Sequence, residues 1–388
     1  MSLIDLTTLF YWVSLLLVSH TWGLYWVVLF LWCRIKPELK EEQCTGNYPP
    51  PKVSFIIAAR NEERSIGERI ENLKQLSCGL DWVEILVGSD GSQDGTCAEV
   101  LKAQEQWPAV KLFDFPTPRG RSAVHNDTVE QAKGDLLVFT DAETRFDPLF
   151  LRHIIPRFRD PRVGAVSGRI HYRNLEDSSI TLSAGLYWEL EERLRTMESR
   201  LGILAFGTGA AFCMRRELYM PMKTAHDDVD FWETLSVVGR GFKVEYEPKA
   251  KAYDTICASL APTHQVRVRR TSRAFRSILR GVLEFGLWRR PSVLFSVLSH
   301  KVLRHLSPFL LLLLLTSNVL MVGRGSWYVL TLVAQGILYG LGALGWVAHL
   351  WGVKFKLFAL PFNFLLLNYS RLFGVLNGLV KKPPSSIR

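Results

Sequence analysis

Charge and apolar residues are kept apart along this chain, and that separation limits what it can fold into. No Asp, Glu, Lys or Arg lies between Asp5 and Arg34, from His305 to Gly323, or from Gly325 to Val353. Each stretch is long enough for a helix to cross the ~30 Å hydrocarbon core of a bilayer. Lipid offers no partner to a backbone N–H or C=O, so such stretches must be helical. A fourth, Leu357 to Val380, is interrupted by Pro361 and Arg371; it reads as a tilted span with a bundle-facing arginine or as an interfacial helix, the span being favoured. Asp5 stands where a signal peptide would be positive and no small-residue cleavage site follows, so the first stretch is expected to remain as an anchor. Arg34, Lys36 and Lys40 follow it, which predicts a cytoplasmic loop and a catalytic or binding domain on that side of the cell inner membrane. Four crossings would then place both termini outside, against the preference of Lys381 and Lys382.

The spans divide the chain into an anchor and linker (1–50), a soluble domain (51–262), a basic amphipathic segment (263–304) and a C-terminal membrane region (305–388). The net charge of +10 does not point to nucleic acid. Between Leu260 and His305 the basic residues Arg267, Arg269, Arg270, Arg273, Arg276, Arg280, Arg289, Arg290, Lys301 and Arg304 meet one acid, Glu284. The surplus is thus a local block beside the membrane, suited to anionic headgroups or a diphosphate. The cysteines Cys33, Cys44, Cys78, Cys97, Cys213 and Cys257 form no CxxC pair or zinc spacing, as expected of reduced structural thiols.

Within the soluble part, strand and helix patterns alternate. Val53–Ala59, Trp82–Val87 and Val110–Phe115 read as strands, and Leu136–Phe139 as a buried one. Ser65–Leu76, a segment ending near Trp107, and Ser122–Lys133 read as the helices between them. That alternation predicts a mostly parallel α/β sheet with right-handed crossovers. Later, Val163–Ile170 and Lys243–Tyr246 read as strands, and Ser183–Met197 and a segment through Val238 as helices. The fourth strand runs into Asp141-Ala142-Glu143. Residues i and i+2 of an extended chain face the same way, at the sheet edge where open α/β folds bind ligands. Two adjacent carboxylates suit a hard divalent ion carrying phosphate oxygens. The turn Asp90-Gly91-Ser92-Gln93-Asp94-Gly95-Thr96 leads into a helix N-terminus that favours phosphate, with Asp90 able to accept a nucleobase N–H.

Four motifs come in fixed order: Ala58-Ala59-Arg60-Asn61-Glu62-Glu63, Ser89 to Thr96, Thr140-Asp141-Ala142-Glu143-Thr144, and His226-Asp227-Asp228. Together they resemble the family-2 glycosyltransferases, which have the GT-A fold. The resemblance is strongest to the membrane-integrated branch that includes cellulose and hyaluronan synthases and ceramide glucosyltransferases. It covers about Pro51 to Arg280 and implies roles position by position. Ala59, Glu62 and Asp90 would form the nucleotide pocket. Asp141 and Glu143 would hold Mg²⁺ or Mn²⁺ on the diphosphate of a nucleotide-sugar donor, a UDP-sugar by resemblance. Asp228 would be the general base toward a lipid or glycan acceptor, and Asp227 would raise its pKa by like-charge repulsion. The family's QxxRW motif is represented by Gln265-Val266-Arg267-Val268-Arg269-Arg270, without the Trp. Arg267 and Arg269 keep phosphate-binding positions, while Arg270, Arg273 and Arg276 are expected to face lipid headgroups. Arg121 follows Gly120 where many relatives have Gly-Lys. The alternatives are a polyprenyl-phosphate sugar synthase, a non-catalytic membrane scaffold of GT-A-like fold, and a channel or transporter, for which the spans are few.

Overall fold

The computed structural model describes residues 3–36, 50–77, 80–174, 179–224, 228–255, 260–352 and 356–380. Its soluble part is built on an eight-stranded sheet of order β3-β2-β1-β4-β7-β6-β8-β5. The strands are β1 (Val53–Ala59), β2 (Val83–Asp90), β3 (Val110–Phe115), β4 (Leu136–Thr140), β5 (Arg145–Phe146), β6 (Val163–Tyr172), β7 (Phe212–Arg215) and β8 (Lys243–Asp254). β1 pairs parallel to both β2 and β4, β2 to β3, and β6 to β8; β7 runs antiparallel to β4 and β6, and β5 to β8. The mostly parallel α/β sheet expected from the alternation is therefore the observed one.

Successive residues of the central strands serve opposite faces. Val53, Phe55, Ile57, Leu136 and Val138 pack on one side with Ile66, Ile70 and Leu73 of α2 (Ile66–Leu76, after the membrane helix α1). Ile56, Leu86, Leu137 and Phe139 pack on the other, with Leu235 and Ile278 of two later helices. Strands buried on both faces must be apolar along their whole length, which is why the opening strands were readable as continuous runs. Register then sets the site. Ala59 pairs with Ser89 and Ile57 with Thr140, so Ala59, Asp90 and Asp141 emerge together at the carboxyl edge.

β8 departs from the expectation. It does not stop at Tyr246 but continues to Asp254. Gly168 pairs with Glu247 and Arg169 with Lys251, so Pro248, Lys249 and Ala250 bulge from the ladder. Proline cannot donate to a ladder, and the sequence pattern ends there while the strand does not.

The remaining helices are α3 (Thr96–Gln106), α4 (Arg121–Glu130), α5 (Phe150–Ile154), α6 (Ser179–Leu201), α7 (Val229–Gly239) and α8 (Leu260–Glu284). Four helical stretches are long and apolar enough to cross a membrane: α1 (Leu3–Ile35), α9 (Pro291–Arg324), α10 (Ser326–Leu350) and the Leu357–Val380 part of α11 (Lys356–Val380). The second begins well before the Leu306 expected from sequence. Its polar residues are neutralised by α6. Glu191 accepts from Lys301 Nζ at 2.7 Å and Arg304 Nη1 at 2.7 Å, while His300 bridges Glu191 and Glu198 at 2.9 Å each. Tyr25 of α1 also donates to Glu198, at 2.7 Å. The basic segment 263–304 is accordingly two things, α8 and the start of α9. α8 packs against α7 and α11 and buries Thr271 to Phe275, Ser277 and Ile278. Gly374 and Gly378 of α11 let it approach, since a Cβ there would meet Thr271 Cβ at 2.5 Å and Ser272 O at 3.0 Å.

Candidate active site

The loops after β1 and β2 interlock. Asn61, at φ 55°, donates its N–H to Ser92 Oγ at 3.2 Å and accepts from Gln93 N at 2.9 Å. Glu62 N donates to Thr96 Oγ1 at 2.7 Å, and the Glu62 carboxylate accepts from Ser65 Oγ at 2.7 Å. Ala59 is buried beneath them. Asp90 accepts from Arg119 N at 2.6 Å and Gly120 N at 2.9 Å, so it pins the turn that starts α4. An ionised carboxylate has about four acceptor positions, which leaves room for a further N–H.

α4 opens with Arg121, and this residue joins the two halves of the site. Its Nη2 lies 3.0 Å from Asp141 Oδ1 and its Nη1 4.0 Å from Asp230 Oδ1. Burial pulls its pKa down, yet Asp141, Asp230 and Glu233 outweigh that and hold it above the usual value. Arg121 Nε donates to His125 Nε2 at 3.4 Å, and His125 Nδ1 lies 3.3 Å from Glu233 Oε1. Both His125 and Glu233 are fully buried. Burial and Arg121 push the His125 pKa well down, whereas burial and Asp230 push that of Glu233 well up. With Nε2 accepting from Arg121, the imidazole proton belongs on Nδ1.

Beyond β4 the burial alternates. Ala142 and Thr144 are buried, while Asp141 is half-exposed and Glu143 exposed. The two acids thus share the outer side, as their spacing predicts. A third carboxylate, Asp254 at the end of β8, has its pKa raised to about 6 by burial and by repulsion from Asp141 and Glu143. Among the described residues no group of three His, Cys, Asp or Glu could enclose an ion unaided. The Asp141 and Glu143 carboxylates suit Mg²⁺ or Mn²⁺, which takes one or two carboxylates and completes its shell with water and phosphate oxygens. The hard oxygen donors suit those ions, and their mutual repulsion is what a bound cation would relieve.

Asp228 caps α7, accepting from Phe231 N at 3.3 Å, while its own N–H donates to Ser277 Oγ at 2.7 Å. Its pKa is raised to about 6, chiefly by burial and then by Asp230, against the pull of Arg273 and Arg121. Helix cap and candidate base are therefore one residue. Asp227, expected to supply the repulsion, lies outside the described residues, as does His226; the repulsion that is seen comes from Asp230.

Arg121, Asp141, Asp228, Asp230 and Asp254 line one cavity of about 430 Å³. Its wall continues along α8 through Arg267, Arg269, Arg270 and Arg273 to Leu367 and Arg371 of α11. This corrects the expectation that Arg270 and Arg273 face lipid headgroups: Arg273 is 8% exposed and acts on Asp228, and Arg270 acts on Asp254. Helical spacing explains it, since positions three apart share a face. Arg267 and Arg269 also line the cavity, but Arg267 does so from the membrane side, donating to Asn363 Oδ1 at 3.1 Å. Asp254 and the His125–Glu233 pair carried no local motif in the sequence.

The glycine-bearing turn after α6 also has a specific task. A Cβ on Gly209 would overlap Asp230 Oδ1 and sit 3.1 Å from Arg121 Nη2. Gly209→Ala is expected to push Asp230 off Arg121 and lower turnover by up to about 10²-fold, the cost of a ~1 Å misplacement, with an unchanged melting transition. Paired kinetics and melting curves check this; a matching loss of stability would show the turn to be merely structural.

Residues 54–221 match the family described as Glycosyl transferase family 2. Poly-beta-1,6-N-acetyl-D-glucosamine synthase of Staphylococcus aureus is 24% identical over 256 residues, 63% of this chain and 58% of that protein. Beta-monoglucosyldiacylglycerol synthase of a Synechocystis species is 31% identical over 169 residues, 42% of this chain and 35% of that protein. The chain thus spans little more than half the length of the first of these relatives. The mannosyltransferase PcManGT of Pyrobaculum calidifontis, solved with GDP-Man and Mn²⁺, superposes with a TM-score of 0.71 at 19% identity, covering 96% of this chain and 99% of its own. The likeness at that identity is one of fold, and it extends over the membrane helices as well as the sheet. Residues 54–221 thus match glycosyl transferase family 2, and the chain has a GT-A-like fold.

Proposed function

We propose that this protein is a membrane-bound inverting glycosyltransferase. It moves a sugar from a nucleotide-sugar donor, by our reading a UDP-sugar, to a lipid or growing glycan at the cytoplasmic face of the membrane. The observation that carries the reading is one cavity lined by Asp141 and Asp254 as well as by Asp228, continuous with helices fit to cross a membrane.

In this mechanism Ala59, Glu62 and Asp90 border the nucleotide, with the free acceptor positions of Asp90 taking a base N–H. Asp141 and Glu143, helped by Asp254, would hold Mg²⁺ or Mn²⁺. Such an ion, when bound, neutralises charge on the leaving nucleoside diphosphate. Arg270, beside Asp254, and Arg269 offer guanidinium groups to the same phosphates. Asp228 removes the proton of an acceptor hydroxyl as its oxygen attacks the anomeric carbon. The bond from that carbon to the diphosphate oxygen breaks, its electron pair leaves with the diphosphate, and configuration inverts. A carboxyl with a pKa near 6 is ionised at pH 7 yet more basic than an ordinary aspartate, which suits this task. A polyprenyl-phosphate acceptor would need no such base.

Membranes holding the full chain, supplied with a panel of nucleotide sugars and Mn²⁺, test the reading through mass analysis of lipid and polymer products. The expected product is a glycosylated lipid or glycan formed with release of nucleoside diphosphate. Donor binding without any transfer would leave only the scaffold, and a glycosyl phosphate product would favour the polyprenyl-phosphate alternative.

A further inference from the structure

The cavity carries more positive charge than its acids or its phosphate chemistry explain, and the excess lies at the membrane end. Arg371 sits in α11, within a segment apolar enough to span a bilayer, and is 8% exposed. It lies beside the phenol of Tyr187 and 5.6 Å from the Trp22 ring, but its Nη1 has no hydrogen-bond partner among the described residues. Arg267 lines the same wall; Nη2 bonds Asn363 and Nη1 has no partner among the described residues. The nearby buried carboxylate, Glu191, is already shared by Arg195, His300, Lys301 and Arg304. His305, 9% exposed, adds at the same end an Nδ1 with no hydrogen-bond partner among the described residues.

Two guanidinium groups facing each other in a membrane-level pocket repel and are poorly solvated. Burial and Arg371 together push the Arg267 pKa down to about 10. Charges buried in this way are normally paired, and an intramembrane arginine usually marks a ligand path. The donor diphosphate does not supply the partner. In the reading above its counter-charges are Arg269 and Arg270, further along α8, with Arg270 acting on Asp254.

The geometry points to a binding site for the phosphate of a membrane lipid at Arg267 and Arg371, which holds the acceptor while its hydroxyl reaches toward Asp228. The acceptor is then an anionic, phosphate-bearing lipid whose chains lie along Leu367 and the neighbouring apolar helices. This rests on the transferase reading for the fate of the hydroxyl, but its test reads binding alone.

Full-length protein in detergent, titrated with dioleoyl phosphatidic acid and with dioleoylglycerol, gives the comparison by native mass spectrometry. The two lipids differ by one phosphate. Wild type is expected to hold phosphatidic acid at least about tenfold more tightly, the effect of one or two charge-assisted hydrogen bonds. Arg371→Gln and Arg267→Gln should each erase most of that preference, and Arg371→Lys should keep part of it. UDP with Mn²⁺ should bind Arg371→Gln as it binds wild type. Equal affinity for the two lipids, or a preference that survives both substitutions, overturns the site. So does a selective loss of UDP binding, which would give these arginines to the donor. Inorganic phosphate competing as strongly as phosphatidic acid would make it a free-anion site and overturn the lipid assignment. Should Arg371→Gln fail to fold, Arg267→Gln outside the membrane helices carries the test. A wild type that prefers phosphatidic acid but binds no nucleotide would instead refute the transferase reading and leave the lipid site standing.

Discussion

Asp228→Asn is expected to lower turnover by about 10²–10⁴-fold, the usual worth of a positioned proton acceptor, and to raise stability at pH 8. The two effects have one cause. Burial and Asp230 lift the Asp228 pKa from 3.8 to about 6, so its charged form is disfavoured in the folded protein. A raised carboxyl pKa destabilises the fold wherever the group is ionised. The penalty is full above about pH 6 and fades as pH falls through 6 toward 3.8. Two pKa units correspond to up to about 3 kcal/mol, and asparagine caps a helix about as well as aspartate, so the bond from Phe231 N survives. Melting temperatures of wild type and variant should therefore diverge at pH 8 and converge near pH 4. The wild-type kcat/KM should fall on the acid side with an apparent pKa near 6. A variant that is inactive and less stable at pH 8 would mean that Asp228 serves only as a cap.

Asp141→Ala carries the second large effect. Asp141 follows β4, pairs with Arg121 at 3.0 Å and repels Asp254. Removing it takes away one of the carboxylates that would hold the donor's metal and leaves the Arg121 side chain with Asp230 alone. Outer partners of metal ligands already cost 10–100-fold when lost, so the loss of a direct ligand should cost turnover at least about 10²-fold. The fold should persist, because Asp141 is half-exposed and the core beneath it is formed by Leu137, Val138 and Phe139. Unfolding of the variant would instead mark the Arg121 pair as structural.

The central sheet was legible because its strands are buried on both faces and so announce themselves as unbroken apolar runs. β1 and β3 fall where the sequence puts them, and Asp141 and Glu143 keep their shared side. What was not legible depends on partners far along the chain. β8 continues past Pro248 because β6 offers it a ladder on the far side of the bulge, and only that continuation brings Asp254 to the site. α9 begins at Pro291 because Glu191 and Glu198 neutralise His300, Lys301 and Arg304. A window of residues around the arginine sees the charge and not its counter-charge. Arg273 likewise reads as a surface cation in sequence, yet faces Asp228 once α8 packs between α7 and α11. Arg121 was marked by its place after Gly120, but its role as the bridge between Asp141 and Asp230 needed three elements to meet.

In this mechanism Asp141 serves the donor's metal-bound diphosphate while Asp228 serves the acceptor's proton. Calorimetric titration of UDP into wild type, Asp141→Ala and Asp228→Asn, each with Mn²⁺ and with a chelator, separates the two tasks. Wild type and Asp228→Asn should bind alike with Mn²⁺ and lose binding with the chelator, whereas Asp141→Ala should bind weakly and equally in both. Asp141→Ala binding UDP with undiminished dependence on Mn²⁺ would contradict the account.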